Sequence, residues 1–201
     1  MWRFPSGHDL RRLAAVIAVA ALPACETIED TYDTVSILWD KPIILPCPDY
    51  RILAEAARRV EFAKGAGRDL VDINSEGVIG DVHLECITRI DKETRVGVME
   101  VAVTVAFGAK RGPANRSRKA LLPYFVSVTD AKRNVLYREE FKVAVDFPGN
   151  QTALQFLGEQ IKLELPLNKK VRSTDYIIFT GFMLTREQLD RNRRLKGRDR
   201  I

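Results

Sequence analysis

The stretch Val96–Phe107, VGVMEVAVTVAF, sets Met99, Val101, Val103, Val105 and Phe107 at every second position, with Glu100, Ala102, Thr104 and Ala106 between them. Successive side chains of a strand point to opposite faces, so five large apolar groups fall on one side. A helix would scatter them around its circumference. The pattern predicts a strand buried on one face, and it recurs. In VLYREEFKVAVDF, Val135, Tyr137, Phe141, Val143, Val145 and Phe147 share odd parity, while Arg138, Glu140, Lys142 and Asp146 face the other way. FLGEQIKLELPL sets Leu157, Ile161, Leu163 and Leu165 against Gln160, Lys162 and Glu164. YIIFTGFMLT, from Tyr176, is apolar on both faces, as a central strand is, and YFVSVTD from Tyr124 adds a shorter strand. Turn residues separate these runs at Asp91–Thr94, Gly112–Pro113, Asp130–Asn134, Pro148–Asn150 and Asn168–Thr174. The expectation is an all-β protein: one antiparallel β-sandwich over residues 47–185, of immunoglobulin or fibronectin-III type, with about seven strands.

The segment RILAEAARRVEFAK, Arg51–Lys64, resists this reading. Its alanines, glutamates and arginines are strong helix formers. Yet Ile52, Ala54, Ala56, Val60 and Phe62 have common parity. The cysteines favour the strand. If Gly65–Arg68 turns a hairpin, directly opposed residues have numbers summing to about 133, which Cys47 and Cys86 do. Opposed residues lie within disulfide reach. A strand with a Cys47–Cys86 bridge is therefore predicted.

The N-terminus indicates a compartment. Arg3, Arg11 and Arg12 precede the ten-residue apolar run Leu13–Leu22, too short for a membrane span and suited to a signal peptide. It closes on Leu22-Pro23-Ala24-Cys25, which resembles the lipobox of bacterial lipoproteins. That resemblance implies a diacylglyceryl thioether and an N-acyl chain on Cys25, and an anchor of two or more chains holds a protein stably in a membrane. Residues 1–24 then form the leader, and Cys47 and Cys86 remain as an even pair in an oxidising compartment. Glu26 in place of the aspartate that retains some lipoproteins at the inner membrane tilts the expectation to the outer membrane.

Residues 25–46 begin as an acidic, threonine-rich tether and end in VSILWDKPIILPCP, where Val35–Leu45 are too apolar to stay wet. They are expected to pack on the domain or to bind a partner. At the other terminus, Thr185-Arg186-Glu187-Gln188 fits a capping box and opens a short, solvated helix packed by Leu189. The full chain carries 32 basic and 27 acidic side chains. Residues 186–201 hold seven of the former and three of the latter, so the basic excess belongs to this tail. Arg191, Arg193, Arg194, Lys196 and Arg198 are candidate contacts for anionic headgroups, each worth about 1 kcal/mol near such a surface.

Three blocks, CPDYRILAEAARRVEF, LPYFVSVTDAKRNVLYREEFKVAVDFPG and YIIFTGFMLTREQLDRNR, resemble uncharacterised lipoproteins of alphaproteobacteria over residues 47–193. The resemblance implies the fold and the location and no mechanism.

Catalytic chemistry has little to draw on. His8 lies in the leader and His83 stands alone, so no serine or cysteine has a paired base and no zinc set is complete. Gly65-Ala66-Gly67-Arg68-Asp69 lacks the lysine and helix of a phosphate loop. Asp69, Asp72, Glu76 and Asp81 crowd together in sequence without calcium-loop spacing. The expectation is a non-catalytic interaction module without cofactor or metal, anchored in the periplasm, with an envelope protein as partner and no nucleic acid. A glycan- or peptidoglycan-binding module and an envelope hydrolase are the alternatives. The basic loop Lys110–Lys119 and the tail are the expected contact regions.

Overall fold

The computed structural model describes residues 43–65 and 67–198, with the side chains of 196–198 excepted. The leader, Cys25 and the apolar residues Val35–Pro42 fall outside the described residues. Nine strands follow: β1 (Asp49–Ile52), β2 (Arg58–Phe62), β3 (Ile73–Ile90), β4 (Gly97–Arg111), β5 (Lys119–Asp130), β6 (Val135–Asp146), β7 (Ala153–Leu157), β8 (Ile161–Leu167) and β9 (Tyr176–Phe182). One helix, α1 (Arg186–Arg198), comes after them. The strands form two sheets. One has the order β1-β9-β5-β6; the other runs β2-β3-β4 and continues with β7 and β8, which both pair with β4. All pairings are antiparallel except β1 with β9.

The inward rows of the two sheets make one core. Met99, Val101, Val103, Val105 and Phe107 of β4 are buried on the face the sequence assigned to them. Opposite lie Leu122, Tyr124, Val126 and Val128 of β5, with Ile178 and Phe182 of β9. The layers approach so closely that a β-carbon on Gly77 of β3 would stand 2.7 Å from Leu122 Cδ2, so any larger residue there would push the Leu122 side chain aside.

Two bulges reset which residues face this core. Ile79 pairs with Phe107 and Asp81 with Ala106, leaving Gly80 as an extra residue in β3. Between Leu157, opposite Ala106, and Ile161, opposite Val103, three residues stand against two of β4. β7 and β8 are thus one strand broken at Gly158–Gln160. The break corrects one expectation: Phe156 turns inward onto Phe107, and Leu157 is 62% exposed rather than sharing a face with Ile161.

The count of nine strands instead of about seven has two sources. One is this break. The other is Arg51–Lys64, which is strand at both ends but interrupted by a 3-10 turn at Ala54–Ala56. That turn carries the chain from β1 in one sheet to β2 in the other. β2 pairs with β3 in the register Arg58↔Val78, three residues away from the sum of 133. The expected hairpin opposition of Cys47 and Cys86 is therefore absent, yet the two are bridged, with Cα atoms 5.8 Å apart. The bridge joins the approach to β1 in one sheet to β3 in the other. The Tyr50 hydroxyl donates to Asp81 at 2.9 Å, a second tie between the same two strands.

The bridge closes a loop of separation 39. On chain entropy such a crosslink contributes about 4 kcal/mol. Reduction, or Cys47→Ser with Cys86→Ser, is expected to lower the unfolding free energy in urea by roughly this amount; a loss under about 1 kcal/mol would contradict the constraint.

Candidate functional site

On the side held by β1 the sheets are tied; on the other they diverge. There β6 pairs only with β5, and β7–β8 pair only with β4, so two strands with free edges flank a groove of about 800 Å³. Its floor is apolar. Phe156 stacks on Phe107 with centroids 5.6 Å apart, Phe107 meets Tyr124 edge-on at 5.0 Å, and Tyr124 stacks on Phe141 at 5.3 Å. This aromatic row crosses the core from one free edge to the other; Tyr124, Phe141 and Phe156 line the groove together with Val143, Leu154 and Ile161, while Phe107 is buried and does not. Glu139, Lys142 and Asp146 on one lip face Glu159 and Lys162 on the other, a nearly balanced set.

Local sequence explains the opening. Gly158 donates its N–H to Val105 O at 2.8 Å, and a β-carbon there would meet Phe107 Cε2 at 2.9 Å. The chain can jog over Phe107 only because this residue has no side chain. Across the groove, the first half of β6 stands off the core: Val135, Leu136 and Tyr137 are exposed, whereas Val145 and Phe147 are buried as expected. Burial pushes the Tyr124 phenol up to about 12, and the negative charge of Glu159 adds to the shift.

The basic helix is placed elsewhere. Its capping box forms as expected, with Thr185 N–H donating to Gln188 Oε1 at 2.9 Å and Gln188 N–H to Thr185 Oγ1 at 3.3 Å. Polar groups seat it more than Leu189 does. Gln188 Nε2 donates to Val60 O, and Asn192 Nδ2 donates to Glu55 O and Arg58 O. Arg59, half-buried, reaches Met183 O and Gln188 Oε1. Arg191 lies 4.7 Å from the centroid of the Phe62 ring, Arg193 is 3.9 Å from Asp190, and Arg194 is exposed. Lys196 and Arg198 belong to the helix, but their side chains lie outside the described residues.

The loop Lys110–Lys119 is tightly hydrogen-bonded. Buried Asn115 donates to Lys119 O and accepts from the Arg118 N–H, and Gly112 N–H donates to Asn74 O. His83 is exposed on β3 opposite Thr104. Asp69 and Asp72 cap each other's turn, Glu76 sits in β3, and Asp81 turns to Tyr50. The four carboxylates are not brought together, and among the described residues no group of three His, Cys, Asp or Glu could hold a metal. Among them, too, no helix is long and apolar enough to cross a membrane.

No family, no curated protein and no solved structure matches the chain. Sequence reasoning missed the groove, because a free edge is a property of the assembled sheets. The glycine at 158 between two alternating runs was the one local sign of it.

Ionised Tyr124 is disfavoured in the fold, so its contribution to stability is complete below about pH 10 and is lost as pH rises toward 12. Denaturant midpoints measured between these limits should fall more steeply for the parent than for Tyr124→Phe. Parallel curves would contradict the burial of the hydroxyl.

Proposed function

We propose that this chain is a lipid-anchored periplasmic lipoprotein whose two-sheet domain is a non-catalytic interaction module. Its partner, a protein of the cell envelope, lays an extended segment along the groove between β6 and β7–β8. One observation carries this reading: two strands with unpaired edges face each other across an aromatic floor. Unpaired backbone N–H and C=O groups take up an added strand, while pockets between them select alternate side chains. Glycan recognition would draw on exposed aromatics set side by side. The exposed tyrosines Tyr50 and Tyr137 sit instead on opposite edges of one sheet, β1 and β6.

The location rests on Leu22–Cys25, on the likeness to alphaproteobacterial lipoproteins, and on the Cys47–Cys86 bridge, which an oxidising compartment favours. Glu26 supports the outer membrane. The fold is a β-sandwich in the broad sense of two sheets on one core. In the immunoglobulin order the second strand neighbours the first and the fifth. Here the second strand, β2, neighbours β3 alone, so the likeness to that type is one of layers and not of strand order.

A photo-crosslinking residue at Lys142, on the groove lip, is expected to capture one discrete envelope protein in living cells, and the same residue at His83 to capture none. Recovery of muropeptides from position 142 would replace this reading with glycan binding. Cys25→Ser is expected to move the protein from the membrane to the soluble periplasmic fraction. Native protein with its leader intact and an unmodified Cys25 sulfur would remove the anchor.

A further inference from the structure

We infer that one end of the domain is a docking surface for an anionic bilayer, and that this end, not the C-terminal helix, faces the membrane. The inference deepens the lipoprotein reading and rests on it for orientation. The register defines the end. Gly97 pairs with Leu167, Asp130 with Tyr176, and the Tyr176 hydroxyl donates to Pro166 O at 2.7 Å. The connections β3–β4, β5–β6 and β8–β9 therefore gather in one place.

Their exposed cations include Arg95, Lys132, Arg133, Lys169 and Lys170. Glu93 among them is exposed, but Asp91, Asp130 and Asp175 are held within their own loops. Asp91 accepts from the N–H groups of Glu93 and Thr94, Asp130 accepts from Asn134, and Asp175 pairs with Arg172. Arg95 and Arg133 occupy left-handed backbone, at φ 61 and 67, where glycine or asparagine is the favoured residue. Apolar ground lies among the charges. Ile44 is 86% exposed, and Leu45, Ile90, Leu167 and Val171 line a hollow of about 470 Å³. Basic side chains around apolar ones match a headgroup layer over acyl chains.

The described chain also enters here. Ile43 leads through Leu45 and Cys47 to Asp49, which pairs with Ile177 at the start of β9. Residues 26–42 separate it from Cys25 and can span at most roughly 60 Å. α1 follows the other end of β9, so the tail leaves from the far end of the strands. An anchor at Cys25 thus draws the three basic connections toward the lipid.

Amine footprinting tests this on the full chain purified from membranes. It is reconstituted into vesicles of phosphatidylcholine alone, or with about one third phosphatidylglycerol, and labelled lysines are read by mass spectrometry. Labelling of Lys132, Lys169 and Lys170 should fall about threefold or more with the anionic lipid and recover near 0.5 M salt, where the Debye length is only a few Å. Lys142 and Lys162 on the groove should not change. The exposed set Lys132→Glu, Arg133→Glu, Lys169→Glu and Lys170→Glu should abolish the protection of the neighbouring Lys92 while leaving the near-ultraviolet circular dichroism unaltered. End lysines indifferent to anionic lipid, a uniform fall at all lysines, or protection of Lys196 alone would each overturn the inference. The mass of the N-terminal peptide reports acylation separately. An unacylated chain that keeps lipid-dependent protection would overturn the anchor and uphold the surface.

Discussion

The tie between β1 and β3 governs this fold. Two sheets packed on one core can be closed along both sides, one or neither. Here a strand of four residues pairs with β9 in one sheet, while Cys47 before it and Tyr50 within it reach β3 in the other. The covalent bridge makes this side permanent, since separating the sheets there would break a bond. Nothing comparable joins β6 to β7–β8, and the groove on that side is lined by half-buried Phe141 and Phe156 and by buried Tyr124.

Between the two sides lies a core built from alternation. Val101, Val103 and Val105 of β4 are buried because they face the other sheet from a strand central in its own, with β3 on one flank and β7–β8 on the other. The aromatic row Phe156–Phe107–Tyr124–Phe141 runs through this core and ends at the groove, so buried Tyr124 both stabilises the centre and lines the site. Substitution at Tyr124 would affect both. Phe141, Val143 and Leu154 are the positions at which recognition can vary at lower cost to the core, because they are only half-buried.

Charge is distributed by a different logic. The basic residues of the tail look dominant by composition, yet Arg191 is applied to Phe62, and the helix is seated by amide and guanidinium bonds to β2 and the turn before it. Arg95, Arg133, Lys169 and Lys170 stand exposed at the connections, where the chain also enters. A basic count therefore says little until one knows which cations already have partners.

Much of the architecture could be read from residues alone. Alternation identified β4, β6 and β8, because a side-chain period of two shows in the linear order; a run apolar on both faces identified β9, YFVSVTD marked β5, and the capping box located α1 to its first residue. The Cys47–Cys86 pairing was legible too, although the β2–β3 hairpin has another register and does not reach back to Cys47, because a parity argument cannot sense a 3-10 turn that moves the chain to another layer. Leu157 was misplaced for the same reason: a bulge inverts parity downstream, and only the partner strand reveals it. The sequence by itself determined which segments are strands and which of their residues are apolar. Tertiary structure alone decided which edges remain unpaired and which cations remain free, since both depend on contacts between residues far apart in the chain.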